Sequence, residues 1–155
     1  MTDTTQIFAL LTEIGIISQL SRTLMESRLP DGVSMPQFSV LNHMVRLGDG
    51  RTPLQLARAF QVPKTSMTNT LAGLEARGLI KMRPNPQDGR SKLVVLTEAG
   101  RRFREAAIAC VAPDLAAIAA HLPGDRVAAL MPDLVLLRRF LDETRGAEVP
   151  QPVAD

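Results

Sequence analysis

Residues 52–100 read TPLQLARAFQVPKTSMTNTLAGLEARGLIKMRPNPQDGRSKLVVLTEAG. Thr52 can accept from the free N–H groups that open a helix, Pro53 stands where its missing donor costs nothing, and Gln55 can close the capping box. The helix is short, Pro53 to about Phe60, with Leu56, Ala57 and Phe60 facing in. Gln61-Val62-Pro63 breaks it, and Lys64 begins another whose buried stripe is Met67, Leu71 and Leu74. That spacing leaves Thr65, Ser66, Thr68 and Asn69 outward near its N-terminal end. Gly78 supplies a cap with positive φ. Leu79–Arg83 and Ser91–Leu96 are short strands, with Val94 and Leu96 toward the core. The segment Pro84-Asn85-Pro86-Gln87-Asp88-Gly89-Arg90 between them is too rich in Pro, Asn and Gly to belong to a sheet. Thr97 then caps a further helix.

This order of parts is what a winged helix-turn-helix requires: one helix for the major groove and one charged loop reaching sideways to the backbone. Small hydrogen-bonding side chains on an exposed helix start approach base edges closely, and free N–H groups there favour a phosphate. Thr65, Ser66, Thr68 and Asn69 are therefore assigned to base edges or adjacent phosphates. Asn69 can pair bidentately with adenine or point along the groove. Lys64, Lys81, Arg83 and Lys92 are assigned to phosphates, where charge matters more than base identity. Arg77 joins them or simply favours its helix C-terminus. Arg90, beside Gly89 at the loop tip, can extend into a narrow, electronegative minor groove; the plainer reading is a surface charge. Asp88 would be repelled by phosphates, so its job is to accept from loop amides or Arg90 and fix the arginine's direction, or merely to make an Asp-Gly turn. Arg101, Arg102 and Arg104 crowd a helix start that disfavours cations, which suggests an outside attraction from DNA or an acidic patch of the same molecule.

Outward from this centre, Ile7, Leu10, Leu11, Ile14, Ile17, Leu20 and Leu24 recur at helical spacing over about residues 5–28. Ile16, Met25 and Leu29 widen the stripe beyond what one neighbouring helix covers. Pro30-Asp31-Gly32 ends it. Ser34, Pro36 and Gln37 open a second helix whose inner side is Phe38 or Val40, Leu41, Met44 and Val45, stopped by Gly48-Asp49-Gly50. After Thr97 a long helix runs to roughly Ala120, with Pro113 expected to kink it. A last helix begins at Pro123-Gly124-Asp125 with Val127, Leu130, Met131, Leu134, Leu137 and Leu141 apolar and a bend expected at Pro132. Residues 146–155 read as an unstructured tail.

The chain has 155 residues and a net charge of +2, enough for one domain with one good core. The charge is segregated: residues 1–50 carry −2, residues 51–104 carry +8, and residues 105–155 carry −4. A concentrated cation seeks a polyanion, and DNA, RNA and anionic membrane all qualify. No run of 18 or more apolar residues exists and the N-terminus lacks a basic signal-peptide region, so a cytoplasmic protein without membrane attachment is expected. Cys110 stands alone, which excludes an intramolecular disulfide and a cysteine-rich zinc site; it is expected to be a small buried core residue. With one Cys and two separated His, no catalytic constellation or metal site assembles, and neither enzyme activity nor a cofactor is expected.

Leu56-Ala57, Ser66-Met67-Thr68 to Leu71, Leu74-Glu75, Gly78-Leu79-Ile80, Asp88-Gly89-Arg90-Ser91-Lys92 and Leu96-Thr97-Glu98-Ala99-Gly100 closely resemble the MarR family of bacterial winged-helix transcriptional regulators. The resemblance is specific over residues 52–102 and elsewhere rests on helix order and length. It implies a mainly α winged helix-turn-helix with a two-stranded β wing and long terminal dimerisation helices. The layout would be one domain over residues 1–145, with 5–29 and 105–145 dimerising and 34–104 binding DNA. It also implies a homodimer on a palindromic duplex operator, the helix from Lys64 to Arg77 in the major groove, Arg90 as the wing arginine, and Asp88 as the wing aspartate. Many members are repressors released by small aromatic or acidic effectors between the dimerisation and DNA-reading parts. Gln19, Arg22, His43, Met44, Arg46 and Met67 are the candidates to line such a cleft here, with Arg22 or Arg46 as counterion. A lone histidine in such a helix is more often a satisfied structural or surface residue, and His43 carries that reading beside the ligand one. The alternative function is a protein-interaction module on the same fold, because a winged helix does not compel DNA binding.

Overall fold

The computed structural model describes residues 3–144; the tail expected over 146–155 lies outside them. Six α-helices are described: α1 Thr4–Arg28, α2 Met35–Leu47, α3 Pro53–Phe60, α4 Lys64–Ala76, α5 Glu98–His121 and α6 Gly124–Glu143. Two strands, β1 Ile80–Pro84 and β2 Lys92–Leu96, form an antiparallel hairpin that pairs Ile80 with Leu96 and Pro84 with Lys92. The architecture is the expected mainly α winged helix-turn-helix.

The predicted caps account for the helix starts. Ser34 with Gln37 and Thr52 with Gln55 both form complete capping boxes, each with a proline in the first turn. Gly78 ends α4 with φ of 68°. The turn at residues 30–32 carries Asp31 in the left-handed region, and Gln61 occupies the same region at the end of α3. Neither left-handed residue was signalled by a glycine.

The core is built by α2, α3, α4 and the inner face of the hairpin. Leu41, Met44, Leu56, Leu71, Leu74, Ile80 and Val94 are its largest fully enclosed side chains. Along β1 the buried Ile80 and half-buried Met82 alternate with exposed Lys81 and Arg83, so the strand turns its cations outward. A third edge was missed by sequence reading. Gly50 N–H donates to the Val94 carbonyl (3.1 Å) and Val94 N–H to the Arg51 carbonyl (2.8 Å), which lays the α2–α3 turn along β2.

By packing, the chain divides into two units, Met1–Ala112 and Pro113–Asp155. In the first, α1 buries no residue within the single chain; Phe8 is 73% and Leu20 65% exposed. The same helix reaches a mean hydropathy of 1.3 over 18 residues, long and apolar enough to cross a membrane. The absence of an uninterrupted apolar run was therefore too strict a ground for setting a membrane aside: Thr12, Glu13, Ser18 and Gln19 interrupt the run without lowering its average below that level. The second unit holds the end of α5 and α6, whose Leu136 and Phe140 are exposed and which also buries no residue. Both internal prolines, Pro113 and Pro132, lie within continuous helices. Cys110 is exposed, contrary to expectation. The buried positions of α5 are Gly100, Ala107 and Val111, and Cys110 sits one residue before Val111, about 100° around the helix from it.

Candidate nucleic-acid interface

α4 starts directly after Pro63, and no side chain caps it. N–H groups in the first turn of a helix have no intrahelical partner and favour an acceptor such as a phosphate. Lys64, Thr65, Ser66, Thr68 and Asn69 are all exposed, while Met67 between them is buried. Burial of Met67, Leu71 and Leu74 fixes the rotation of the helix and thereby which residues it presents. The Thr68 hydroxyl donates to the Lys64 carbonyl (2.9 Å), which leaves Thr68 its methyl group and acceptor lone pairs for an approaching surface.

The wing is held by its own side chains. Asn85 Nδ2 donates to Ser91 Oγ (2.8 Å), Asn85 Oδ1 accepts from the Gln87 amide (3.0 Å), and Asp88 Oδ1 accepts from the Arg90 amide (3.0 Å). Asp88 thus closes an Asx turn around the loop tip, and Arg90 is exposed there. Asn85 was not singled out from the sequence, although Asn between prolines is a turn signal.

An open cleft of about 470 Å³ lies between the start of α3, the start of α4 and the wing. Lys64, Arg90 and Lys92 meet on its walls with Asp88, and Leu54 and Met82 add apolar lining. Three cations from two separate elements are thus gathered beside the exposed row of α4. Lys81 and Arg83 share the outward face of β1 and are not part of this lining.

Other cations serve the fold. Arg77 donates from Nη1 to the Asp31 carbonyl (2.8 Å) and from Nη2 to the Gly32 carbonyl (3.5 Å). It clamps the turn after α1: a planar guanidinium spread over two carbonyls has its geometry fixed from within. Arg104 donates from Nε and Nη2 to Asn42 Oδ1 on α2 (3.2 and 3.0 Å), and Arg101 pairs with Asp49 at 3.4 Å. The attraction expected to hold these arginines at the start of α5 is therefore internal for two of the three. Arg102 is exposed.

The six effector candidates differ in their exposure. Met44 and Met67 are enclosed in the core, on the buried stripes of their own helices, so neither can line an accessible cavity. Gln19, Arg22 and Arg46 are exposed. His43 is half-buried, its ring 5.1 Å from that of Phe60 and tilted by 55°. Burial, then the nearby charges of Arg51 and Arg46, lower its pKa below the ordinary 6.5, so the neutral ring is favoured. Its Nε2 and Arg51 Nε are both buried without a hydrogen-bond partner.

Known proteins resemble this chain in sequence and fold. The sequence model of the MarR family matches residues 31–91. The multiple antibiotic resistance protein MarR of Escherichia coli K12 is 33% identical over 110 residues, which cover 70% of this chain and 76% of that protein. The chain belongs to the MarR family of transcriptional regulators. An uncharacterized HTH-type transcriptional regulator of Mycobacterium bovis is 35% identical over 91 residues, 59% of this chain. The match spans 63% of the length of that mycobacterial relative. Among solved structures, a cysteine-to-serine mutant of MarR from E. coli in complex with operator DNA superposes with a TM-score of 0.72. It is 29% identical, and the match covers 90% of this chain and 99% of that one. Within the MarR family, then, the exposed start of α4 and the charged wing correspond to a fold known in a DNA-bound state.

Proposed function

We propose that this MarR-family regulator is a cytoplasmic homodimer that binds a palindromic duplex operator and represses transcription until a small aromatic or acidic effector releases it. The observation that carries the DNA reading is the exposed row Thr65, Ser66, Thr68 and Asn69 on a helix whose uncapped start shares a cleft with Arg90 and Lys92. Lys64, Lys81, Arg83, Arg90 and Lys92 supply phosphate and minor-groove contacts, and Asp88 holds the wing that carries Arg90. Base edges are read from α4. Dimerisation through residues 5–29 and 105–145 is supported by the apolar surface that α1 and α6 leave exposed. A partner helix accommodates the polar interruptions of α1, Glu13 and Gln19 among them, better than a bilayer does. Gln19, Arg22, His43 and Arg46 are the candidate contacts for the effector.

The test is an Arg90→Ala variant titrated against a duplex that the wild-type protein selects from a random-sequence pool. Affinity is expected to fall at least about tenfold while the circular-dichroism melt is unchanged. Equal affinity of the two proteins would remove the wing from the DNA contact.

A further inference from the structure

We propose that Asp49, in the turn between α2 and α3, is the positioning residue that fixes the wing relative to the DNA-reading helices. Its flanking glycines have φ of 92° and 80°, which lets a tight turn lay the chain against β2. On the edge of β2 that faces the turn, Val94 uses both backbone groups, donating to the Arg51 carbonyl and accepting from the Gly50 amide. By the two-residue period of a strand, Leu96 directs its N–H to the same edge one rung later. The turn offers no carbonyl there; Asp49 Oδ1 accepts that N–H at 3.0 Å instead. The second oxygen, Oδ2, accepts from Arg101 Nη2 of α5 at 3.4 Å. One carboxylate thus joins the turn, the last rung of β2 and the first turns of α5, three residues before Thr52 caps α3.

The chemistry favours aspartate specifically. A carboxylate accepts on both oxygens at once, whereas an asparagine keeps one acceptor and turns its amino group toward the Arg101 donors. A negative charge close to a DNA-binding face is costly for phosphate binding, and Arg101 offsets it locally. Without Asp49, β2 keeps its pairing with β1 and the two Val94 bonds to the turn but loses the rung at Leu96 and the link to α5, so the wing and its Arg90 gain freedom to move against α4.

The proposal rests on the reading of the wing as a DNA-contacting loop, and two measurements separate them. First, amide hydrogen exchange of the free protein, without DNA, is compared for wild type and Asp49→Ala. Exchange at Val94 and Leu96 should rise at least about tenfold while the amides of Leu71 and Leu74 in α4 stay as they were. A uniform rise, or none, would overturn the positioning role whatever the DNA result. Second, Arg90→Ala, Asp49→Ala and the double variant are titrated against the duplex selected by the wild-type protein. Each single change should weaken binding, and Arg90→Ala should cost much less in the Asp49→Ala background than in the wild type. Penalties that multiply independently would overturn the proposal; an Arg90→Ala without effect in the wild type, alongside the expected exchange pattern, would overturn the wing reading alone. If Asp49→Ala fails to fold, Asp49→Asn, whose neutral amide accepts more weakly from Leu96 and turns its amino group against Arg101, carries both measurements with the same expected pattern at smaller size.

Discussion

At the scale of single residues, the molecule separates cations that line an open cleft from cations that hold the fold. Arg77, Arg101 and Arg104 all find partners in the chain, whereas Lys64, Arg90 and Lys92 meet around an open cleft. Sequence could not make that division, because the partners lie 45 to 62 residues away and one of them, Asn42, is a helix residue without any motif. His43 gives this scale its own prediction. Its lowered pKa means that, as the pH falls below about 6.5, the unfolded chain takes up the proton before the folded one. Stability should therefore be unaffected by this group above about pH 7.5 and be lost progressively as the solution is acidified. Urea midpoints at about pH 7.5 and about pH 5.5 should differ more for the wild type than for His43→Gln. Identical pH dependence in the two proteins would show that the ring is not held neutral by burial and by Arg51.

At the scale of elements, the starts of helices were the most legible features. Capping boxes at Ser34 and Thr52 are local chemistry, and the structure forms both. The edge added to β2 by Gly50 and Arg51 was not legible, because a Gly-Asp-Gly turn announces only that a helix stops. The joint between α4, the hairpin and α5 was half legible. Thr97 was expected as a cap, and its hydroxyl accepts from the Gly100 amide (3.0 Å) while donating to the Gly78 carbonyl (2.7 Å). The packing of Gly100 was not expected: a Cβ there would run into the Leu79 carbonyl oxygen and crowd Leu96 Cδ1. Gly100→Ala should therefore cost about 1–3 kcal/mol by forcing α5 away from the end of α4. Chemical denaturation measures it, and a midpoint equal to that of the wild type would show that the contact yields freely. The exposed row of α4, in contrast, followed from the spacing of Met67, Leu71 and Leu74 alone.

At the scale of the whole molecule, charge and apolar surface divide the labour. Residues 51–104 hold a net charge of +8 between two acidic flanks, and the helices of those flanks, α1 and α6, bury none of their residues in the single chain. The first pattern was legible by counting, and the second from the width of apolar stripes that one chain cannot cover. The use of Met44 and Met67 was not legible, since a residue at the period of a core stripe can also border a cleft; both are used as core. If paired copies of this surface grip duplex phosphates, operator affinity must depend steeply on salt. Five exposed cations per protomer, Lys64, Lys81, Arg83, Arg90 and Lys92, give a dimer up to ten phosphate contacts. The logarithm of affinity for the selected duplex should then fall with the logarithm of salt concentration with a slope approaching about −9, as each contact releases roughly 0.9 of a counterion. A slope near zero would contradict such a grip and leave the winged helix as a surface for a protein partner.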